Sequence, residues 1–231
     1  MNDRVIALVL SESDYREYDS LYQVITADKG FLAFVARGIK KKDHKQNILP
    51  LNLYEFIIDY KENKTMYVVK NVRLLKSFHD FSDFKRIQLL NIAAEAALKS
   101  RELWDDTFYT TLLQVFVSQN TLSLLCYFLA YLLERHGVKP CVDGCVICGC
   151  QKVVELGIKE GGFLCLNHAK GQHRDPLLLK KFRLFNKAKP EHSEILAKIA
   201  TTKEDLDLLV AFFESNTDLK LNAYRLFARL N

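Results

Sequence analysis

The chain has 231 residues, 49% of them hydrophobic, with 33 basic and 28 acidic side chains giving a net charge of +5. That is enough apolar material for one large or two modest cores. No run approaches eighteen apolar residues, and the longest, around 122–133, carries Ser123 and reads as a buried helix, which argues against a membrane span and for a soluble cytoplasmic protein.

Five runs near the start read as strands: residues 4–10, 21–26, 31–37, 51–60 and 65–75. They are rich in Val, Ile, Tyr and Phe, with polar residues often alternating. Asp28-Lys29-Gly30 marks a turn between the second and third runs, and Asn63-Lys64 a weaker one between the last two. Five short strands in so few residues suit a small closed barrel such as the OB-fold, although an open sheet has the same count. The expected class is therefore α+β, with a five-stranded barrel over 1–78 and a helical domain over 79–231.

From Ser82 onward the period becomes helical, with Phe84, Ile87, Leu90 and Ala96 at the recurring positions. Further helices are expected over 103–117 and 121–136, the latter stopped by Gly137 and Pro140. Residues 176–185, 191–200, 203–215 and 219–230 read as helices as well. Thr202, with Asp205 three residues on, looks like an N-cap with its supporting acid.

Between these helices lies Cys145-x2-Cys148-Gly149, and then Gly161-Gly162-x2-Cys165-x2-His168. Two short ligand pairs separated by a loop can close a tetrahedron around Zn²⁺ and tie a loop at about 141–170 to the body. Gly149 suits the turn after the second thiolate. Four soft ligands leave no open coordination position, so the expected single zinc is structural. Cys141 and Cys150 lie close enough to replace one ligand. Disulfides are not expected, because Met1-Asn2-Asp3-Arg4 runs into an apolar stretch too short for an export signal.

Charge is unevenly distributed. Arg37, Lys40, Lys41, Lys42 and Lys45 sit against one acid, Asp43, and residues 170–189 hold seven basic residues against Asp175. Such runs suggest surfaces for phosphates or an acidic partner, although solvated loops look the same. Enzyme signatures are missing. There is no Gly-rich phosphate loop, no Gly-x-Ser-x-Gly and no His-Glu-x-x-His. Pro140-Cys141 lacks the deaminase spacing and no His-x-Glu precedes it. The carboxylate pairs Asp105-Asp106 and Asp205 with Asp207 read as solvated or helix-start charges.

Several stretches together resemble the RecO family of bacterial recombination mediators along nearly the whole chain. They include Asp14-Tyr15-Arg16-Glu17-Tyr18-Asp19, Val24-Ile25-Thr26-Ala27-Asp28-Lys29-Gly30 and Val35-Ala36-Arg37-Gly38-Ile39-Lys40-Lys41. Leu132-Leu133-Glu134-Arg135-His136-Gly137-Val138-Lys139-Pro140 and the metal-ligand pairs continue the likeness. His168 departs from the fourth Cys usual in that family. The resemblance implies an N-terminal OB-fold, a helical domain with an inserted zinc loop, and no catalysis. It implies binding of single- and double-stranded DNA and annealing of strands coated by single-stranded-DNA-binding protein (SSB). It also implies RecR as a partner in loading RecA, and docking of the acidic C-terminal SSB tail on the helical domain. DNA contact is then expected at Arg37, Lys40, Lys41, Lys42 and Lys45. Lys180, Lys181 and Arg183 are expected to form a second basic surface or the rim of the SSB-tail site, with apolar faces from 103–136 as its floor. Tyr54, Phe56 and Tyr67 read either as barrel core or as stacking residues. The alternative to this reading is a zinc-stabilised module that binds acidic protein partners.

Overall fold

A computed structural model describes residues 3–41, 47–62, 64–78 and 82–230. The chain forms two compact units, Met1–Leu113 and Gln114–Asn231.

The first unit is built on six strands: β1 (Asp3–Asp14), β2 (Ser20–Thr26), β3 (Gly30–Ala36), β4 (Leu53–Ile58), β5 (Met66–Val68) and β6 (Asn71–Lys76). Their order is β5-β3-β2-β1-β4-β6. The pairs are antiparallel except β3 with β5, which is parallel. The two outermost strands are consecutive in sequence. Val69 N–H donates to the Val35 carbonyl and the next residue, Lys70, donates to that of Ile57, each at 2.9 Å. One chain segment thus leaves the β3 edge and joins the β4 edge, which closes the curled sheet. The run expected as a single strand over 65–75 is this segment, split where it changes partner; the weak turn signal before it falls partly on Asn63, outside the described residues.

Val5, Ala7 and Val9 of β1 point into the barrel with Tyr22, Val24, Phe34, Tyr54, Phe56 and Tyr67. Phe34 and Phe56 meet edge-on with centroids 4.7 Å apart, a favoured aromatic geometry. Tyr54, Phe56 and Tyr67 are therefore core. β1 is buried on its other face too, where Leu8 lies opposite Ile25. Helix α1 (Phe84–Lys99) packs on β1. Helix α2 (Asp106–Val117) brings Phe108 edge-on to Phe31 at 5.9 Å. α2 begins later than expected because Arg101–Leu103 forms a 3₁₀ turn. The Asp105 carboxylate then accepts the Phe108 N–H at 2.7 Å and caps a new start. Gly30, at φ +66°, turns β2 into β3 against the Trp104 ring, and an added Cβ would lie 3.0 Å from it.

The second unit centres on α3 (Thr121–Arg135), in which Leu124, Leu125, Phe128 and Leu132 are fully buried. The apolar face expected to floor a peptide site is covered: α4 (Pro176–Lys187) and α6 (Lys203–Asn216) pack on it. Thr202 and Asp205 form the anticipated capping box on α6. Where 191–200 reads as a helix, a 3₁₀ turn leads only into the single turn α5 (Ser193–Leu196). Side chains near the start of α3 take the carbonyls a longer helix would have used. Ser123 donates to Leu196 at 2.6 Å, and the Asn120 amide donates to Ala197 at 3.0 Å and Ile199 at 2.9 Å. The chain ends in α7 (Asn222–Leu230). A hairpin that the sequence reading passed over, β7 (Val153–Gly157) with β8 (Gly162–Cys165), lies within the loop at 141–170. Among the described residues no helix is long and apolar enough to cross a membrane.

Phe56→Ala should destabilise the chain by about 3–5 kcal/mol, because the buried ring leaves a cavity that the barrel wall cannot collapse into. Urea unfolding followed by circular dichroism should register this as a lower midpoint.

Candidate metal centre and nucleic-acid interface

Two knuckles face each other in the second unit. In the first, Gly149 N–H donates to the Cys145 carbonyl at 2.8 Å and Cys145 N–H to that of Cys150 at 2.9 Å. Gly149 has φ +73°, the conformation its place after the second thiol calls for. In the second, His168 and Ala169 N–H both donate to the Cys165 carbonyl, at 3.0 and 2.9 Å. Val146 N–H reaches the Phe163 carbonyl at 2.8 Å and joins the two.

The ligand atoms of Cys145, Cys148, Cys165 and His168 all lie within 4.8 Å of one another. Cys148 Sγ is 3.7 Å from Cys165 Sγ, and His168 Nδ1 is 3.4 Å from Cys145 Sγ and 3.3 Å from Cys165 Sγ. A tetrahedral zinc at ordinary bond lengths sets sulfurs about 3.8 Å apart and sulfur about 3.6 Å from nitrogen. The cluster fits such an ion, with Nδ1 as the imidazole donor. Burial resists ionisation of the Cys145 thiol, yet backbone hydrogen bonds from Cys165, Cys148 and Ile147 outweigh it and bring the thiol down to about 6. Hydrogen bonds to Cys165 and Cys145 push the His168 imidazole up. Cys141 and Cys150 stand apart from the cluster, their sulfurs directed at the carbonyls of Gly144 and Lys152.

At one end of the barrel, two loops are tied together. The Asp19 carboxylate accepts the Gly38 N–H at 2.8 Å, the Tyr18 carbonyl accepts the Lys40 N–H at 3.1 Å, and the Lys40 ammonium pairs with Asp14. Arg37, Lys40 and Lys41 are exposed there, while Lys42 and Lys45 lie outside the described residues. The sequence reading did not single out three exposed neighbours, Tyr15, Arg16 and Tyr18. Arg16 stands 5.5 Å from the Tyr15 ring centre and Lys41 5.8 Å from that of Tyr18. These residues lie in the quoted stretch 14–19, but nothing in sequence spacing places them beside 37–41.

The three cations of α4 are not alike. Lys181 donates to the buried Asp205 at 2.7 Å, and Arg183 donates to the Val142 carbonyl at 2.7 Å with its guanidinium over the Phe163 ring. Both are committed inside the unit. Lys180 is exposed, on a stripe with the exposed Leu177 and Leu184.

Residues 1–78 match the family model described as Recombination protein O N terminal. The chain is similar to the DNA repair protein RecO of Limosilactobacillus fermentum, at 26% identity over 80% of this chain and 73% of that one. It is similar to that of Enterococcus faecalis at 26% over 86% and 81%. With the Bacillus cereus protein of the same name the identity is 24% over 100% and 98%.

Protein purified without chelator should carry one zinc per chain by elemental analysis. Cys148→Ser and His168→Ala should lower occupancy and stability together, because ligand binding and local folding share one free energy. Cys141→Ser and Cys150→Ser should keep full occupancy.

Proposed function

We propose, since the chain belongs to the RecO family of DNA repair proteins, that it acts as a recombination mediator which binds single- and double-stranded DNA and anneals complementary strands. In this reading it cooperates with RecR to load RecA onto SSB-coated strands, and no covalent bond is made or broken. Residues 1–78 serve as the DNA-binding domain and 79–231 as the partner-binding domain.

The observation that carries the DNA part is the pair of tied loops, with Arg16, Arg37, Lys40 and Lys41 exposed on one face of the barrel. Cations held there neutralise phosphates and release counterions, which lets two strands approach. Such contacts are independent of sequence, as an annealing protein requires. Lys42 and Lys45 extend the same basic run. A non-catalytic role is supported by the donor set, since four protein ligands leave a metal no position for substrate. Zinc in this site holds the knuckles and the hairpin between them. For the SSB tail, which is acidic and ends in an apolar residue, the exposed stripe of Leu177, Lys180 and Leu184 offers the matching chemistry, with Lys180 alone of its three predicted rim cations in position.

An Arg37→Glu/Lys41→Glu variant should bind all DNA sequences more weakly. Its salt slope should fall by about 0.9 for each duplex phosphate that is no longer neutralised, and by about 0.7 for each phosphate of a single strand. An unchanged slope would place the DNA surface elsewhere. Annealing of bare and SSB-coated oligonucleotides, with nucleotide hydrolysis followed in parallel, tests the rest: annealing without hydrolysis is expected.

A further inference from the structure

Beside the tied loops lies a cleft of about 150 Å³ lined by Tyr15, Arg16, Asp19, Val35, Arg37, Met66, Tyr67 and Val68. Its composition is unusual for a solvated loop surface. Tyr15 is 42% exposed and Tyr18, on the same loop, 44%, while Met66 and Val68 of β5 are left exposed at the cleft. Apolar and aromatic surface is thus offered to solvent beside two guanidinium groups. Three acids stand nearby: Asp14 pairs with Lys40, Asp19 accepts the Gly38 N–H and Glu17 is hydrogen-bonded to the Tyr18 hydroxyl, against the four cations Arg16, Arg37, Lys40 and Lys41.

We propose that Tyr15 and Tyr18 are stacking platforms for unpaired bases, and that the Tyr15–Arg37–Met66 cleft seats one nucleotide of a single strand. This rests on the DNA-binding reading and deepens it: the surface distinguishes single-stranded DNA from duplex. A ring stacks on a base only where the face of that base is uncovered, and in a duplex neighbouring pairs cover it. Arg37 and Arg16 meet the flanking phosphates, which both forms of DNA possess. The rings carry the preference and the cations carry the general affinity. The loops are pre-positioned for this. Tyr15 N–H and Arg16 N–H both donate to the Asp19 carbonyl, at 3.1 and 3.4 Å, and Lys40 N–H holds the Tyr18 carbonyl at 3.1 Å. Little backbone freedom remains to be given up when a strand binds.

The test uses the full chain with a short single strand carrying 2-aminopurine and a hairpin duplex of the same composition. Tyr15→Ala and Tyr18→Ala should each weaken single-strand binding between about 5-fold and about 150-fold, the range for removal of one base–aromatic stack. Both should leave duplex affinity and the salt slope unchanged, and the quenching of 2-aminopurine on binding should diminish. Tyr15→Phe and Tyr18→Phe should bind as the parent does, because the ring and not the hydroxyl makes the stack. Thermal unfolding of each variant checks that these exposed positions leave the fold intact. Unchanged single-strand affinity in both alanine variants, or equal weakening on duplex, overturns the stacking role. If that happens while Arg37→Glu/Lys41→Glu still weakens both forms, the DNA surface stands and only the platform fails. If no variant weakens either form, the DNA surface fails with it.

Discussion

Three sulfurs and one imidazole nitrogen brought within 4.8 Å of one another are a donor set that a metal ion could hold together. Without one, ionised thiols repel across that distance, and protonated thiols make only weak hydrogen bonds. Much of the second unit is tied to this cluster. The hydrophobic cluster at the knuckles is small, comprising Cys145, Leu164, Cys165 and Ala169 with Val154 against it. The hairpin in turn presents Phe163 to Phe182 of α4, and Phe182 meets Phe212 of α6. Arg183 lies over Phe163 and bonds the Val142 carbonyl, and Lys181 links α4 to the capping acid of α6. The metal-ligand cluster is therefore coupled to the helix packing through one aromatic row and two cations.

The first unit answers to a different constraint. Over residues 7–10 β1 is buried on both faces, with one side chain set filling the barrel and the other lying on the face where α1 packs on the strand. Because side chains alternate along a strand, a slip of one residue would exchange the two sets. Where both faces are apolar register needs other determinants, and the turn from β1 into β2 supplies one, with Tyr15 and Arg16 N–H donating to the Asp19 carbonyl. A frame fixed in this way lets the loops at the barrel end carry polar and aromatic residues that contribute little to the core.

How much of this was readable beforehand varies with the range of the interactions. The metal ligands were legible because each pair is close in sequence and its chemistry is rare. Barrel strands and helix caps such as Thr202 with Asp205 were legible from local pattern as well. The hairpin of β7 and β8 was not, since Val153 to Gly157 is short and its partner strand holds a glycine and a cysteine that the metal motif already explained. The shortness of α5 has a tertiary reason: Ser123 and Asn120 bond the carbonyls of its last residue, Leu196, and of Ala197 and Ile199 just beyond it, from more than seventy residues away. The basic run on α4 gave no clue to which members face inward, because Lys180, Lys181 and Arg183 read alike until Asp205 and Val142 are placed beside two of them. Tyr15 and Tyr18 went unnoticed because their relation to 37–41 is made by hydrogen bonds across the chain.

The hand-over at Val69 and Lys70 has a bearing on how an opened sheet edge would meet a second molecule. β5 contributes only three residues to the barrel seam, so an opening there would be among the cheaper local fluctuations of the first unit. It would bare the rim of β3, a row of amide and carbonyl groups able to accept a strand from another molecule. The surrounding sequence discourages that. Lys61, Glu62, Lys64 and Lys70 flank the short strand, and a second chain arriving in the same orientation would have to stack like charges upon like. The segment that completes the barrel thus also carries the residues that would keep an unzipped barrel monomeric.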